Sequence, residues 1–361
     1  MALYPTSETE GDMTRQSYLG IGMAAAAGAA LGVGMIAGAD KLLADAMGRA
    51  HRSAAEKVFP VQACGLPAIP VRDEDVRARM ESASMQMAER VSAWLDSADA
   101  ELVALPVDGG RVRLCGTIVY ASRATRDWVV LAHEYRANRR SMEKFGEMYA
   151  RHGFNVLNVD LRGHGDSEGD YITMGWDDGQ DILDWVGYLV SRFGSDIRVV
   201  LHGQSMGAAS VLHAAGASSR PQLVALVADS CGSKMKDALL KSLGQANVFP
   251  PVMLYAMLRA AALLRCGFDL SKDNPIDFAH GCTVPTLFIH GAADTLVPPA
   301  QSAELYSACP AAMKKLIVIP EAGHLGGVFV GPEHYEEELF DFLARVGVVQ
   351  GGEPEASNDW M

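Results

Sequence analysis

Apolar and polar positions along the last two thirds of the chain predict strands and helices in alternation. From about Leu102 onward, short apolar runs typical of buried strands are separated by longer stretches with helical periodicity. Such alternation predicts an α/β fold, in which a mainly parallel, doubly wound sheet carries helices on both faces. The predicted strands are 112–121, 128–132, 155–161, 197–201, 223–228, 286–289 and 316–319, and the predicted helices are 141–151, 176–193, 206–217, 300–308 and 334–346.

A helical stripe precedes this region and predicts a packing helix over 73–98. Its apolar positions are Val76, Met80, Met87, Val91, Trp94 and Leu95. The whole chain is then predicted to divide into an N-terminal tail (1–17), a hydrophobic helix (18–39), a linker and helical extension (40–100), a main α/β domain (101–347) and a flexible tail (348–361).

Residues 18–39 contain no charged side chain, and a helix of that length can span a bilayer. Three interpretations stay open: an uncleaved membrane anchor, a signal peptide cut after the small residues that end at Ala39, and a soluble hydrophobic helix. We expect a single N-terminal anchor, with secretion after cleavage near Ala39 as the alternative. Lys41, Arg49 and Arg52 follow the segment and favour a cytoplasmic location for the main domain.

An apolar insertion interrupts the alternation at about 232–272. Because it lies between a core strand and later strand ends, it is predicted to form a helical cap over a ligand site. The alternative is a pair of ordinary buried helices. The side chains expected to line an apolar slot are Met253, Leu254, Met257, Leu258, Leu263 and Leu264.

Charge and cysteine content exclude several kinds of partner. The 361 residues carry a net charge of −13, which disfavours binding to nucleic acid or to anionic lipid through a basic patch. The six cysteines form no C-x-x-C pair and no Cys/His set at zinc spacing, so no metal and no other cofactor is predicted. Oligomeric and disulfide states are left open.

The sequence Gly203-Gln204-Ser205-Met206-Gly207 follows a predicted strand and precedes a predicted helix. A serine in such a G-x-S-x-G turn is held in a strained conformation above the sheet, at the positive end of a helix. That is a position for a nucleophile. A chance match is the alternative, so the surrounding motifs decide.

A serine nucleophile needs a base and a third group that orients the base. His324 follows the strand at 316–319, and Asp294 follows the strand at 286–289. Both loops therefore leave the carboxyl ends of parallel strands, where ligands bind in such sheets. The order Ser205, Asp294, His324 fits a catalytic triad on this kind of fold.

These motifs, with the turn Arg162-Gly163-His164-Gly165, make the chain resemble serine hydrolases of the α/β-hydrolase superfamily over about 102–346. The resemblance is to the branch that holds monoacylglycerol lipase-like, lysophospholipase-like and serine aminopeptidase-like proteins. It implies an α/β-hydrolase fold and an oxyanion hole built from two backbone N–H groups, those of Met206 and Tyr135. Glu134 departs from the glycine usual in the second loop, so its carboxylate must point away from the hole or pair with an arginine.

The resemblance implies hydrolysis of acyl esters, either lipid-like or small, through an acyl-enzyme on Ser205. The expected partner is a small acyl substrate, with membrane association through 18–39. Two alternatives stay open. One is a peptidase of the aminopeptidase type, which needs a carboxylate for the substrate's ammonium group, and the insertion offers only Asp237 and Asp269. The other is a membrane-tethered binding protein that has lost turnover.

Overall fold

A computed structural model describes residues 38–49, 73–244, 250–272 and 274–348. The strands in these ranges are β1 (Ala100–Val107), β2 (Val112–Val119), β3 (Asp127–Ala132), β4 (Asn155–Asp160), β5 (Arg198–Gln204), β6 (Leu223–Asp229), β7 (Thr286–Gly291) and β8 (Lys314–Ile319). The helices are α1 (38–47), α2 (Glu74–Ser97), α3 (Glu143–Arg151), α4 (Asp178–Phe193), α5 (Met206–Gly216), α6 (Met235–Gly244), α7 (Pro251–Arg265), α8 (Pro275–Ala279), α9 (Pro299–Ala308), α10 (Gly327–Val330) and α11 (Pro332–Arg345).

The strands form one sheet in the order β1-β2-β4-β3-β5-β6-β7-β8. Strands β3 to β8 are parallel, whereas β2 pairs antiparallel with both β1 and β4. The predicted α/β fold with a mainly parallel sheet is confirmed. Strand β1 is not among the predicted strands, and only Val103 and Val107 of its eight residues are buried.

Alternate residues of the central strands point to opposite faces of the sheet, as the pleat requires. In β3, Val129 and Leu131 join a core that contains side chains of α2, α3, α10 and α11. Val130 and Ala132 join the core on the other face, which contains side chains of α4, α5 and α9. Because helices cover both faces of the sheet, the central strands have apolar residues at consecutive positions.

Helix α2 confirms the packing helix predicted over 73–98. The carboxylate of Asp73 caps its first turn by accepting hydrogen bonds from the backbone N–H groups of Asp75 and Val76, at 2.9 and 3.2 Å. Four of the six predicted stripe residues are buried, and Trp94 packs at the edge of the core. Leu95 was predicted wrongly, since it is exposed at the end of the helix.

The insertion contains α6 and α7, which share a third apolar cluster with α1. Leu43 and Met47 of α1 are buried there against the two insertion helices. Of the six side chains expected to line a slot, Leu254 and Leu258 are buried in this cluster. Met253, Leu263 and Leu264 point to solvent instead.

Residues 18–37 of the predicted hydrophobic helix lie outside the described residues, as do the predicted N-terminal tail and residues 349–361. Within the described ranges, no helix combines the length and the apolar character that a bilayer span requires. Val348, the first residue of the predicted flexible tail, is buried in the core.

The two-sided burial of β3 predicts a large cost for shortening a side chain there. We expect Leu131→Ala to lower the free energy of unfolding by about 2–5 kcal/mol, because it leaves a cavity between sheet and helices. Leu102→Ala in β1 is the matched control, since Leu102 is 76% exposed, and its effect should be within about 0.5 kcal/mol. Urea denaturation followed by circular dichroism measures both, and equal losses would contradict the described packing.

Candidate active site

Ser205 stands in the sharp turn between β5 and α5. Its backbone has φ 50° and ψ −110°, a conformation rare for a residue with a side chain, and its N–H donates to the Asp229 carbonyl at 2.8 Å. A Cβ on Gly203 would clash with the backbone of Gly207, and a Cβ on Gly207 would clash with the carbonyl of Ala132. Only glycine fits at these two positions, so the turn has the geometry that its sequence predicts.

The side chains of Ser205, His324 and Asp294 form one hydrogen-bonded chain. His324 Nε2 lies 2.9 Å from Ser205 Oγ, and His324 Nδ1 lies 2.7 Å from Asp294 Oδ2. The loops after β7 and β8 come together at Gly291, where a Cβ would clash with the carbonyl of Ala322. The structure thus brings together the three residues that the sequence singled out, in the geometry of a Ser-His-Asp triad.

The Asp294 carboxylate is buried and accepts four hydrogen bonds. Oδ1 accepts from the backbone N–H groups of Leu296 and Val297, at 2.8 and 2.9 Å. Oδ2 accepts from His324 and from a second histidine, His290, at 3.1 Å. Burial alone would raise the pKa of Asp294, but the hydrogen bonds from His290 and His324 outweigh it and hold that pKa well below its ordinary value.

His290 is a site residue that the sequence reasoning missed. Its Nε2 faces two acceptors, Asp294 Oδ2 and the Val297 carbonyl at 2.9 Å, so this nitrogen carries a hydrogen. Nδ1 lies 2.6 Å from Ser302 Oγ, whose hydroxyl can also donate to the Cys231 carbonyl at 3.2 Å. The Ser302 hydroxyl can therefore donate to Nδ1 of a neutral His290 ring. After rotation it can instead accept from the Nδ1–H of a cationic ring and donate to the Cys231 carbonyl.

The groups around His290 raise its pKa. Burial lowers the pKa of His290, but its hydrogen bonds to the Asp294 carboxylate and the Val297 carbonyl outweigh this effect and raise the pKa above the ordinary histidine value. Asp229 also faces it from the end of β6 and acts in the same direction. The sequence did contain a signal for His290, because it is the second-last residue of β7 and the loop after β7 carries Asp294.

Asp229 is a second missed residue, buried beneath the serine turn. Its carboxylate accepts hydrogen bonds from the Gln204 amide at 2.8 Å and the Tyr335 hydroxyl at 3.0 Å, and its carbonyl accepts from Ser205 N–H. It thereby joins α11 to the turn. In the sequence, Asp229 directly follows a predicted strand, but no local pattern predicts its hydrogen-bond partners, because they belong to other elements.

The N–H groups predicted for the oxyanion hole belong to Met206, the first residue of α5, and Tyr135, in the loop after β3. Within the described part of the chain, neither N–H donates to a protein acceptor. Glu134 pairs with no arginine there, and its carboxylate accepts a hydrogen bond from the Ser141 hydroxyl at 2.8 Å. The Glu134 carboxylate is thus held by a neutral hydroxyl group and not by an arginine.

Two buried histidines support the Tyr135 loop. His133 Nε2 accepts from Leu161 N–H at 3.0 Å while Nδ1 lies 2.7 Å from the Glu134 carbonyl, and His164 Nε2 accepts from Arg136 N–H at 3.2 Å. Burial lowers the pKa of His133 to about 4 and, with the nearby His133 ring, that of His164 to about 3. Both are neutral near pH 7, and this neutral state is the one that accepts these bonds.

Ser205 opens into a cavity of about 320 Å³ with a mainly apolar lining. Helix α6 supplies one wall, and α1 supplies another through Leu42, Asp45 and Ala46. The Tyr135 hydroxyl donates to the Ala46 carbonyl, which ties α1 to the loop after β3. The insertion therefore lines the cavity with residues other than those expected, namely Lys234, Met235, Ala238, Leu239 and Leu243.

The sequence profile of the family described as "Serine aminopeptidase, S33" matches residues 123–266 and 263–325, a region that includes Ser205, Asp294 and His324. The chain belongs to this family of α/β hydrolases. The expected resemblance is confirmed at the level of the family and the fold. The family name describes a group of hydrolases and leaves the substrate of this member open.

The chain is also similar to individual proteins and to solved structures. The chain is 29% identical over 259 residues to the uncharacterized protein YfhR of Escherichia coli, covering 69% of this chain and 82% of that protein. It is 26% identical to the uncharacterized membrane protein YNL320W of Saccharomyces cerevisiae, covering 56% and 64%. The structure of a Pyrococcus furiosus esterase is similar with a TM-score of 0.59 and 25% identity, covering 70% of this chain and 93% of that one.

His290 supplies a test of the site that needs no substrate. His290 and His324 both contact Asp294 Oδ2, so a change at His290 alters the carboxylate that orients His324. His290→Ala removes one hydrogen bond to this carboxylate, so we expect the rate of Ser205 labelling by a fluorophosphonate at pH 7 to fall by about tenfold. His290→Gln keeps a donor to Asp294 and should retain most of the rate. An unchanged rate in a folded His290→Ala variant would show that His290 acts only by packing.

Proposed function

We propose that the protein hydrolyses carboxylic esters that carry an apolar acyl group, through a covalent acyl-enzyme on Ser205. The observation that carries this proposal is the hydrogen-bonded chain Ser205–His324–Asp294, whose serine lines a mainly apolar cavity. Membership of a hydrolase family and similarity to an esterase support the reaction class.

In the first half of the reaction, His324 Nε2 takes the proton of Ser205 Oγ as the oxygen attacks the ester carbonyl. Asp294 holds the Nδ1–H of His324 and stabilises the imidazolium that forms. The imidazolium then gives its proton to the leaving alcohol. In the second half, His324 takes a proton from water, the hydroxide attacks the acyl-enzyme, and the proton returns to Ser205 as the carboxylic acid leaves.

The negative oxygen of each tetrahedral intermediate is proposed to lie between the N–H groups of Met206 and Tyr135. The first is at the N-terminus of α5, whose dipole adds to the stabilisation of an anion. The second is in a loop held by two neutral histidines. The Glu134 carboxylate accepts a hydrogen bond from the Ser141 hydroxyl, which holds this negative charge in a defined position.

The cavity lining supports a lipid-like or other apolar acyl chain. Asp45 and Lys234 are the only charged residues among those that line it in the described ranges. Methylene groups that leave water for such a site each contribute about 0.8 kcal/mol. A monoacyl lipid would place its chain against α6 and its polar part toward the charged residues.

Aminopeptidase activity is the second candidate, because the family is named for it and Asp45 lines the cavity. A substrate's ammonium group needs such a carboxylate. The Asp45 side chain, however, is 63% exposed and pairs with Lys41 at 3.1 Å, and neither Asp237 nor Asp269 of the insertion lines the cavity. The lack of an insertion carboxylate at this cavity favours esters over peptides with a free amino terminus.

We also propose that residues 18–39 anchor the protein in a membrane. The support is the uncharged sequence of this segment and the description of the yeast relative as a membrane protein. Cleavage near Ala39 is the alternative. Asp40 pairs with Arg265 of α7, so either form of the chain keeps this link between α1 and the insertion.

Ser205→Ala tests the reaction directly. We expect hydrolysis of p-nitrophenyl butyrate to fall by about 10³-fold or more, because the nucleophile is lost, and fluorophosphonate labelling to disappear. Ser219→Ala, an exposed serine beyond α5, is the matched control and should keep full activity. Faster turnover of aminoacyl arylamides than of esters by the wild type would favour the peptidase, and unchanged ester hydrolysis by Ser205→Ala would refute the proposal.

A variant of the cavity wall tests the acyl site. For the wild type, kcat/KM should rise by up to about fourfold per methylene along a series of p-nitrophenyl esters, until the cavity is full. Ala238→Trp on α6 should remove this rise for long chains and leave the acetate ester unchanged, since it fills the cavity. Ala303→Trp on the exposed side of α9 is the control. An identical chain-length profile in Ala238→Trp would place the acyl chain elsewhere.

A further inference from the structure

Helix α7 exposes a continuous apolar surface. Val252, Met253, Leu263 and Leu264 are 67%, 43%, 51% and 83% exposed. With 100° of rotation per residue, they fall within an arc of about 120° on the helix. The alanines at 256 and 260 lie on the same arc and are exposed too, and no charged residue interrupts it. We call these six residues the outer face of α7.

The inner side of α7 is apolar as well. Leu254, Leu258 and Ala262 are buried in the cluster that α7 shares with α1 and α6. The two charged residues of α7, Arg259 and Arg265, pair with Asp269 and Asp40. A helix with two apolar faces typically packs both of them against apolar surroundings. The outer face has no cover among the described residues, so it fits an apolar partner outside them.

The position of α1 points to the identity of that partner. Helix α1 begins at Gly38, and a Cβ on Gly38 would lie 3.7 Å from the terminal methyl carbon of Met257, at the border of the outer face. Two residues later, the Asp40 carboxylate accepts two hydrogen bonds from the Arg265 guanidinium, at 3.0 and 2.7 Å. The uncharged sequence 18–37 therefore joins the folded domain beside α7.

We propose that the outer face of α7 docks onto a lipid bilayer, with its side chains at the boundary between headgroups and acyl chains. A helix that lies in this boundary presents apolar side chains on one side only. An anchor that enters beside the outer face would hold it at the membrane surface. Because α1 and α6 pack against α7 and line the cavity, docking brings the cavity walls next to the bilayer.

The proposal concerns a surface, so its test needs no turnover. The full chain with Leu264→Cys is labelled with the fluorophore NBD and reconstituted into phosphatidylcholine vesicles. Cys64→Ser and Cys266→Ser prevent labelling elsewhere, since the other four cysteines are buried. Leu102→Cys is the matched control, because Leu102 is 76% exposed in β1. Both positions accept a polar label without loss of core packing.

We expect lipids with a spin label on the acyl chain to quench NBD at position 264 at least twofold more than at 102. Iodide in the water should quench NBD at 102 and spare it at 264. Equal iodide quenching at both positions would overturn the proposal. So would a label at 264 that neither iodide nor the lipid quenches, because the outer face would then be covered by residues 18–37 or by a second copy of the chain.

Discussion

The buried carboxylate of Asp294 is the group on which the arrangement of the site depends. It accepts two backbone N–H groups from its own loop and one ring N–H from each of two histidines. A charge buried this deeply is stable only when such partners surround it. The same bonds fix the loop after β7, orient His324 toward Ser205, and connect the triad through His290 to Ser302 on α9.

Close backbone packing makes this network geometrically possible. The strands β5 and β7 end in turns that contain Gly203, Gly207 and Gly291. Because these residues have no side chain, neighbouring backbone segments occupy the space that a Cβ would fill. Ser205 takes a strained backbone conformation as a result, and its N–H is held by the Asp229 carbonyl. Strain of this kind persists because the packed sheet on both sides over-determines it.

The cavity above the triad is built from parts that are distant in sequence. Its walls come from α6 in the insertion, from α1 at the start of the described chain, and from Tyr135 in the loop after β3. Tyr135 bonds to the Ala46 carbonyl, and Ile172 N–H donates to the Met47 carbonyl at 2.6 Å. Helix α1 is therefore part of the cavity wall as well as a link to the segment before it.

The sequence alone determined the strands from β2 onward, the longer helices between them, the serine turn, and Ser205, Asp294 and His324 as residues that the structure joins by hydrogen bonds. Local periodicity and short motifs encode these features. It misjudged the insertion, because apolar residues occur on more than one side of α7 and the pattern cannot tell a buried Leu258 from an exposed Leu264. It also missed His290 and Asp229. Their roles depend on partners in other elements, and only the tertiary packing of strand ends, insertion and N-terminal helix decides which side chains meet.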